Sequence, residues 1–174
     1  INNRFKKDDC EYIIHIGSEN GTTFYFANAL HSELIRLGKK SFLPELNSFK
    51  SYKKLQHLVV MTSTYGKGES PTNAKKFQSL LQTYQPIKPF DYSVVGFGSL
   101  AYPDFCKYAY DVDEMLQKNL NNTRLGDVFT INNQSLEAYH QWLIKWSKKE
   151  SLDNPEELLF DCNKMAEGES YFKL

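Results

Sequence analysis

The 174 residues are 41% hydrophobic and 14% aromatic, enough for one domain burying roughly 70% of its unfolded surface and cramped for two. Lys+Arg and Asp+Glu stand at 21 each, and the absence of a basic stripe excludes general nucleic-acid binding. Three widely spaced cysteines, Cys10, Cys106 and Cys162, offer neither a disulfide framework nor a zinc spacing. With no apolar run of membrane-span length and no signal-peptide pattern, a reducing, cytoplasmic setting is expected.

Strand-like and helix-like segments alternate along the chain. Tyr12–Ile16 is a short apolar run of strand type, followed by a helix over Thr22–Leu37, where Phe26, Ala27, Leu30, Leu34 and Leu37 fall at helical spacing before Gly38. Ser41–Leu46 is a weaker strand. His57–Ser63 is apolar enough to be buried on both faces, as parallel strands are. A helix near Asn73–Gln82, a strand over Tyr92–Gly96 and a helix over Pro103–Leu120 come next. Arg124–Phe129 reads as a fifth strand and Ser135–Ser147 as a last helix. Five strands separated by helices imply a parallel sheet covered on both faces. Ligands of such sheets bind beyond the carboxyl ends of the strands.

Three polar, glycine-bearing loops follow three of those strands, which gathers them at one end of the sheet. The first, Gly17-Ser18-Glu19-Asn20-Gly21-Thr22-Thr23, joins a strand to a helix. Its hydroxyls and helix-start amides suit a phosphate, and without a lysine it is not a Walker loop. By itself it is equally an N-cap and tight turn. The second, Thr62-Ser63-Thr64-Tyr65-Gly66-Lys67-Gly68-Glu69, sets a tyrosine beside two glycines. Alone it reads as an exposed turn. The third, residues 96–102, carries a second tyrosine, Tyr102, ahead of Pro103, which suits a first helical turn. Gly96–Ala101 also fits the permissive dinucleotide pattern G-x-G-x-x-A, although no acidic partner follows the next strand. Together the loops describe a phosphate cradle and two aromatic walls around a planar ligand.

GSENGTTFYFA, STYGKGESPTNAKKF and GFGSLAYPDFCKYAYDVDEML occur in this order. They resemble the three cofactor loops of the FMN domains in diflavin reductases. That family includes sulfite reductase flavoprotein, the NADPH–cytochrome reductases and the reductase domain of nitric oxide synthase. The similarity runs from about Tyr12 to Lys149. It implies a flavodoxin-like three-layer α/β sandwich with five parallel strands in the order 2-1-3-4-5. It implies FMN as cofactor, with Ser18, Glu19, Asn20, Gly21, Thr22 and Thr23 around the phosphate. Tyr65 and Tyr102 would stack on opposite faces of the flavin ring, with Thr64 and Gly68 in the same loop as Tyr65. The Gly66 carbonyl would accept a hydrogen bond from the reduced ring nitrogen, which favours one-electron steps. Gly98 and Ser99 would line the ring edge, and Cys106 would pack behind it rather than act as a nucleophile.

The second loop is one residue shorter than the family pattern before Pro71. Glu19 stands where glutamine is usual, so its carboxylate should point away from the phosphate. Phe129-Thr130-Ile131-Asn132-Asn133 replaces an acidic cluster common in the family.

The resemblance further implies an electron carrier within an NADPH-dependent oxidoreductase. Its partners would be an FAD- and NADPH-binding module in the same parent chain and a haem or iron–sulfur acceptor. Residues 1–149 are then the FMN domain. Residues 150–174, acidic and proline-containing, read as a connector in a piece cut from a longer protein that lacks its initiator methionine. Two other readings stand beside it: a nucleotide-binding enzyme using Gly96–Ala101, and an interaction module that has lost its cofactor. The four histidines, His15, His31, His57 and His140, show no metal or triad spacing and read as packing or surface residues. Asp111, Asp113 and Glu114 read as solvated surface, Lys145–Lys149 as a solvated helix end, and Trp142 and Trp146 as packing against the sheet.

Overall fold

Strongly apolar segments become the central strands. The structure is a computed structural model that describes residues 3–19, 21–119 and 122–152. β1 (Tyr12–Gly17) is buried along its whole length. β3 (His57–Ser63) and β4 (Asp91–Gly98) flank it on one side, and the short β2 (Ser41–Phe42) pairs on the other. Every pairing is parallel, and with β5 (Thr123–Arg124) at the far edge the order is β2-β1-β3-β4-β5.

Period-2 alternation sends the strand side chains into two cores. Ile14, Ile16, Val59, Met61, Val95 and Phe97 meet α1 (Gly21–Arg36) and α4 (Leu136–Lys149) on one face. Ile13, Leu58, Val60, Tyr92 and Val94 meet α2 (Phe77–Gln82) and α3 (Lys107–Asn119) on the other. This is the three-layer flavodoxin-like sandwich. α1 buries Phe26, Ala27, Leu30 and Leu34 as its periodicity requires. It stops at Gly38, whose φ of 81° lets the Gly38 and Lys39 amides reach back to the carbonyls of Ile35 and Leu34. Trp142 and Trp146 stack at 5.4 Å and are buried against the sheet.

Four boundaries differ from expectation. The fifth strand position holds two short strands, β5 (Thr123–Arg124) and β6 (Phe129–Asn132), both paired with β4. Gly126, at φ 139°, lies in the break between them. The helix expected from Pro103 starts at Lys107, because Asp104 and Cys106 hold left-handed φ values of 60° and 54° that a helix cannot contain. Leu120, its expected end, lies outside the described residues. The Asn73–Gln82 helix is a 3₁₀ turn (Thr72–Ala74) and then α2. The Ser41–Leu46 strand is the two-residue β2 followed by a single bridge between Ile16 and Glu45.

Asp113 is a further correction. It is 5% exposed and takes a bidentate grip from Arg124 of β5, at 3.0 Å and 2.6 Å. Asp111 and Glu114 are paired along the helix with Lys107 and Lys118. Glu150 and Leu152 are buried against the domain, while the connector from residue 153 lies outside the described residues, as does Cys162.

Candidate functional site

The register of the parallel sheet sets Gly17 beside Thr62 and Thr62 beside Gly96. The loops leaving β1, β3 and β4 therefore converge at one end of the sheet. They surround a cleft of about 650 Å³, within the usual size of a small-molecule site. Thr22 and Thr23 line it from the first loop, Thr64, Tyr65 and Gly66 from the second, and Gly98, Ser99, Tyr102 and Cys106 from the third. Ser18, Glu19, Gly21 and Gly68 are not among its lining residues, and Asn20 lies outside the described residues.

At one end of the cleft, α1 starts with hydroxyl side chains and no acidic residue in its first turn. The first-turn amides of a helix and the partial positive charge at its start suit an anion. The Thr23 and Ser63 hydroxyls are hydrogen-bonded to each other at 2.5 Å, which ties this end to β3. Among the described residues no lysine or arginine lines the cleft. The donor set thus fits a phosphate monoester held by amides and hydroxyls. The loop itself is braced from outside: Asn73 accepts the Ser18 amide at 2.9 Å. Glu19 accepts hydrogen bonds from the hydroxyl and the amide of Thr72, and these hold its carboxyl below the usual carboxylate range.

The second loop is a tight hairpin. Tyr65 and Glu69 exchange backbone hydrogen bonds at 3.0 Å and 2.6 Å around Gly66 and Gly68, at φ 52° and 89°. Only a residue tolerant of left-handed backbone makes this turn without strain. A Cβ at Gly68 would lie 2.3 Å from Lys107 Cδ, a flexible side chain that can move aside, so it is the backbone angle that calls for glycine there. Thr64 has a structural duty beside its place in the cleft: its Oγ1 accepts the Tyr108 amide at 2.9 Å, capping the start of α3.

Across the cleft, Tyr102 is 71% exposed. Gly98 closes the floor. A Cβ there would lie 3.2 Å from Cys106 Sγ, and Cys106 is 1% exposed. Burial pushes its thiol up to about 11, so it is protonated and unreactive at neutral pH. Gly96 and Gly98 lie within β4, and no helix begins before Lys107. The G-x-G-x-x-A pattern therefore lacks the strand-turn-helix geometry a dinucleotide loop needs.

The sequence reading missed Asn133 and Gln134, which line the cleft with left-handed φ values of 50° and 57°. They follow β6, and Asn132 accepts the Leu100 amide at 2.8 Å, bracing the third loop. An Asn-rich stretch directly after a strand was the available signal, since Asn tolerates left-handed backbone.

The Flavodoxin family model matches residues 14–146. The chain is 33% identical over 132 residues to the inducible nitric oxide synthase of Canis lupus familiaris, covering 70% of this chain and 11% of that protein. With the inducible nitric oxide synthase of Bos taurus it shares 39% over 98 residues, covering 53% and 8%. It therefore spans about a tenth of the length of these relatives. Among solved structures, oxidised Flavodoxin 2 from Bacillus cereus superposes with a TM-score of 0.63 at 19% identity, covering 80% of this chain and 99% of that one. The Streptococcus pneumonia TIGR4 flavodoxin gives 0.62 at 23%, covering 79% and 97%. These structural likenesses show the fold, and the family match takes in all three cleft loops. The chain belongs to the flavodoxin family, as an electron-transfer domain whose cofactor is FMN.

Proposed function

We propose that this chain is the FMN domain of an NADPH-dependent diflavin oxidoreductase, relaying single electrons from a partner FAD to a haem or iron–sulfur acceptor. The observation that carries the reading is the convergence of the α1 start, the Tyr65–Gly66 hairpin and the Gly98–Tyr102 segment on one cleft. The similarity to segments of nitric oxide synthases supports the diflavin assignment.

Bound FMN supplies a ring that takes up and gives up electrons one at a time. Thr22 and Thr23, at the start of α1, would hold its phosphate through their hydroxyls and the first-turn amides. Tyr65 and Tyr102 cover the two ring faces and exclude water from them. The Gly66 peptide can turn its carbonyl toward a ring nitrogen because its backbone tolerates both signs of φ. Gly98, Ser99 and Cys106 form the wall behind the ring. Exposure of Tyr102 leaves one edge open, where an electron can leave or enter.

In this reading residues 1–149 are the functional unit and residues 150–174 lead to an FAD- and NADPH-binding module. The isolated domain is an electron carrier with no nicotinamide site of its own. Buried, free Cys10 and Cys106 suit a reducing, cytoplasmic setting. Among the described residues no helix is long and apolar enough to cross a membrane.

The test is a reconstitution. FMN-loaded protein mixed with NADPH alone stays oxidised; adding an FAD- and NADPH-binding reductase module reduces it, and the electrons pass on to ferric cytochrome c. Rapid reduction by NADPH with no partner, or no transfer to the haem acceptor, would contradict the proposal.

A further inference from the structure

The opposite end of the sheet holds a cluster that electron transfer does not use. His57 opens β3 and Asp91 opens β4, and the register places them side by side. Glu150, the residue capping the C-terminus of α4, reaches the same point. One ligand atom from each of the three lies within 4.8 Å of the others. Residues 57 and 63 are the two ends of one strand, so this cluster lies roughly 20 Å from the FMN cleft.

Two acids meet on a single ring nitrogen in this cluster. His57 Nδ1 faces both Asp91 oxygens, at 3.0 Å and 3.1 Å, and Glu150 Oε2 closes on the same nitrogen. A ring nitrogen carries one proton and can serve one carboxylate well. Both Glu150 oxygens remain buried without a hydrogen bond that meets normal geometry, and its side chain is only 1% exposed. A buried carboxylate in that condition is costly. Its position adds to the cost, because the C-terminal end of a helix is the negative end of the dipole. Two acids and one imidazole nitrogen therefore face a common point that a cation could occupy in place of their shared proton.

We propose that His57, Asp91 and Glu150 form a binding site for a divalent transition-metal cation of the Zn²⁺ class. The donor set is one imidazole nitrogen and two carboxylates, which suits Zn²⁺ and its neighbours rather than the all-oxygen shells of Mg²⁺ and Ca²⁺. Two carboxylates and a neutral imidazole neutralise a 2+ ion. A small widening of the cluster admits the ion in place of the proton between the ring and the acids. His57 and Asp91 are 21% and 20% exposed, which gives an entry path and leaves the fourth position to water. The Tyr12 ring lies 4.6 Å from the His57 ring and limits how far the imidazole can turn. The ion would join the start of β3, the start of β4 and the end of α4, the point from which the chain continues beyond the domain. Its role is structural.

The test uses FMN-loaded protein treated with EDTA and desalted, then titrated with Zn²⁺, with Mg²⁺ as control. Calorimetry and thermal unfolding are followed together, because an ion that binds only the folded state raises Tm. Wild type should give a saturable one-to-one isotherm and a rise in Tm of several degrees with Zn²⁺ and neither with Mg²⁺. Glu150→Gln keeps the shape, removes the buried charge and should fold at least as stably without metal while losing the Zn²⁺ response. Asp91→Asn should weaken binding at least tenfold. The site is overturned if wild type shows no one-to-one heat, or if the Tm rise persists in Glu150→Gln and Asp91→Asn. FMN absorbance should stay constant throughout, so this outcome is independent of the flavin assignment.

Discussion

The hydroxyl of Tyr65 accepts a hydrogen bond from the backbone amide of Glu19 at 2.9 Å. One side chain thus lines the ring cleft with its face and steadies the phosphate loop with its oxygen. Removing only the oxygen separates the two duties. Tyr65→Phe keeps the ring and releases the loop, at a cost of about 1 kcal/mol. FMN binding should weaken roughly fivefold while riboflavin, which has no phosphate, binds as before. Fluorescence titration with both ligands checks it, and an equal loss for both would count against the bond.

Arg124 links β5 to α3 through its bidentate pair with the buried Asp113, which also accepts a hydrogen bond from the Gln117 amide at 3.0 Å. Arg124→Ala leaves the buried Asp113 without its cation and with the neutral Gln117 amide as its remaining donor among the described residues. The side chain of Arg124 is 30% exposed, which lets water relieve part of the loss, so about 2–3 kcal/mol is expected. Urea unfolding should show a lower midpoint with an unchanged slope.

Gly96 touches α3 where a methyl group cannot fit. A Cβ there would lie 2.6 Å from the Ala109 Cβ. Gly96→Ala should cost about 1–3 kcal/mol through overpacking, and Ala109→Gly about 1 kcal/mol through helix propensity. In the double variant the two losses should fail to add, because removing one methyl makes room for the other. Full additivity would place the strain elsewhere.

The three central strands and α1 were legible because their apolar patterns are local and strong. The split of the fifth strand was not, since the chain leaves β4 at Gly126, whose φ of 139° is set by tertiary packing. Pro103 looked like a helix start, yet the left-handed Asp104 and Cys106 hold the chain in a loop for three more residues. That loop is what puts Tyr102 and Cys106 on the cleft. The same limit applied to Asn133 and Gln134 in the cleft and to the meeting of His57, Asp91 and Glu150, which are far apart in sequence.

His15 gives the domain a defined response to acid. It is fully buried in β1, and burial holds its pKa down to about 3 despite a hydrogen bond to the Glu45 carbonyl. Nδ1 lies 2.9 Å from that carbonyl and Nε2 2.9 Å from the Tyr52 hydroxyl, so the neutral ring donates through Nδ1 and accepts at Nε2. Phe49 and Tyr52 are the rings beside it. Protonation places a charged donor at Nε2 in a fully buried site and turns the Tyr52 hydroxyl toward the Ser48 carbonyl, 3.3 Å away. Because the folded pKa lies below the unfolded value of about 6.5, the unfolded chain binds the extra proton first. Stability is therefore fully present above pH 6.5 and falls as the pH drops toward the folded value. His15 alone should remove about 2 kcal/mol by pH 5. His15→Gln, compared with wild type at pH 7.5 and 5, should show a smaller loss by that amount; equal losses would refute the assignment.

The most direct test of the central claim is the visible spectrum of purified protein incubated with FMN and desalted, beside the Tyr65→Ala/Tyr102→Ala double variant. Wild type should keep flavin absorbance with quenched fluorescence. The variant should keep its fold by circular dichroism and lose the flavin. Wild type that stays colourless, or a double variant that retains FMN as tightly, would contradict the account of this cleft.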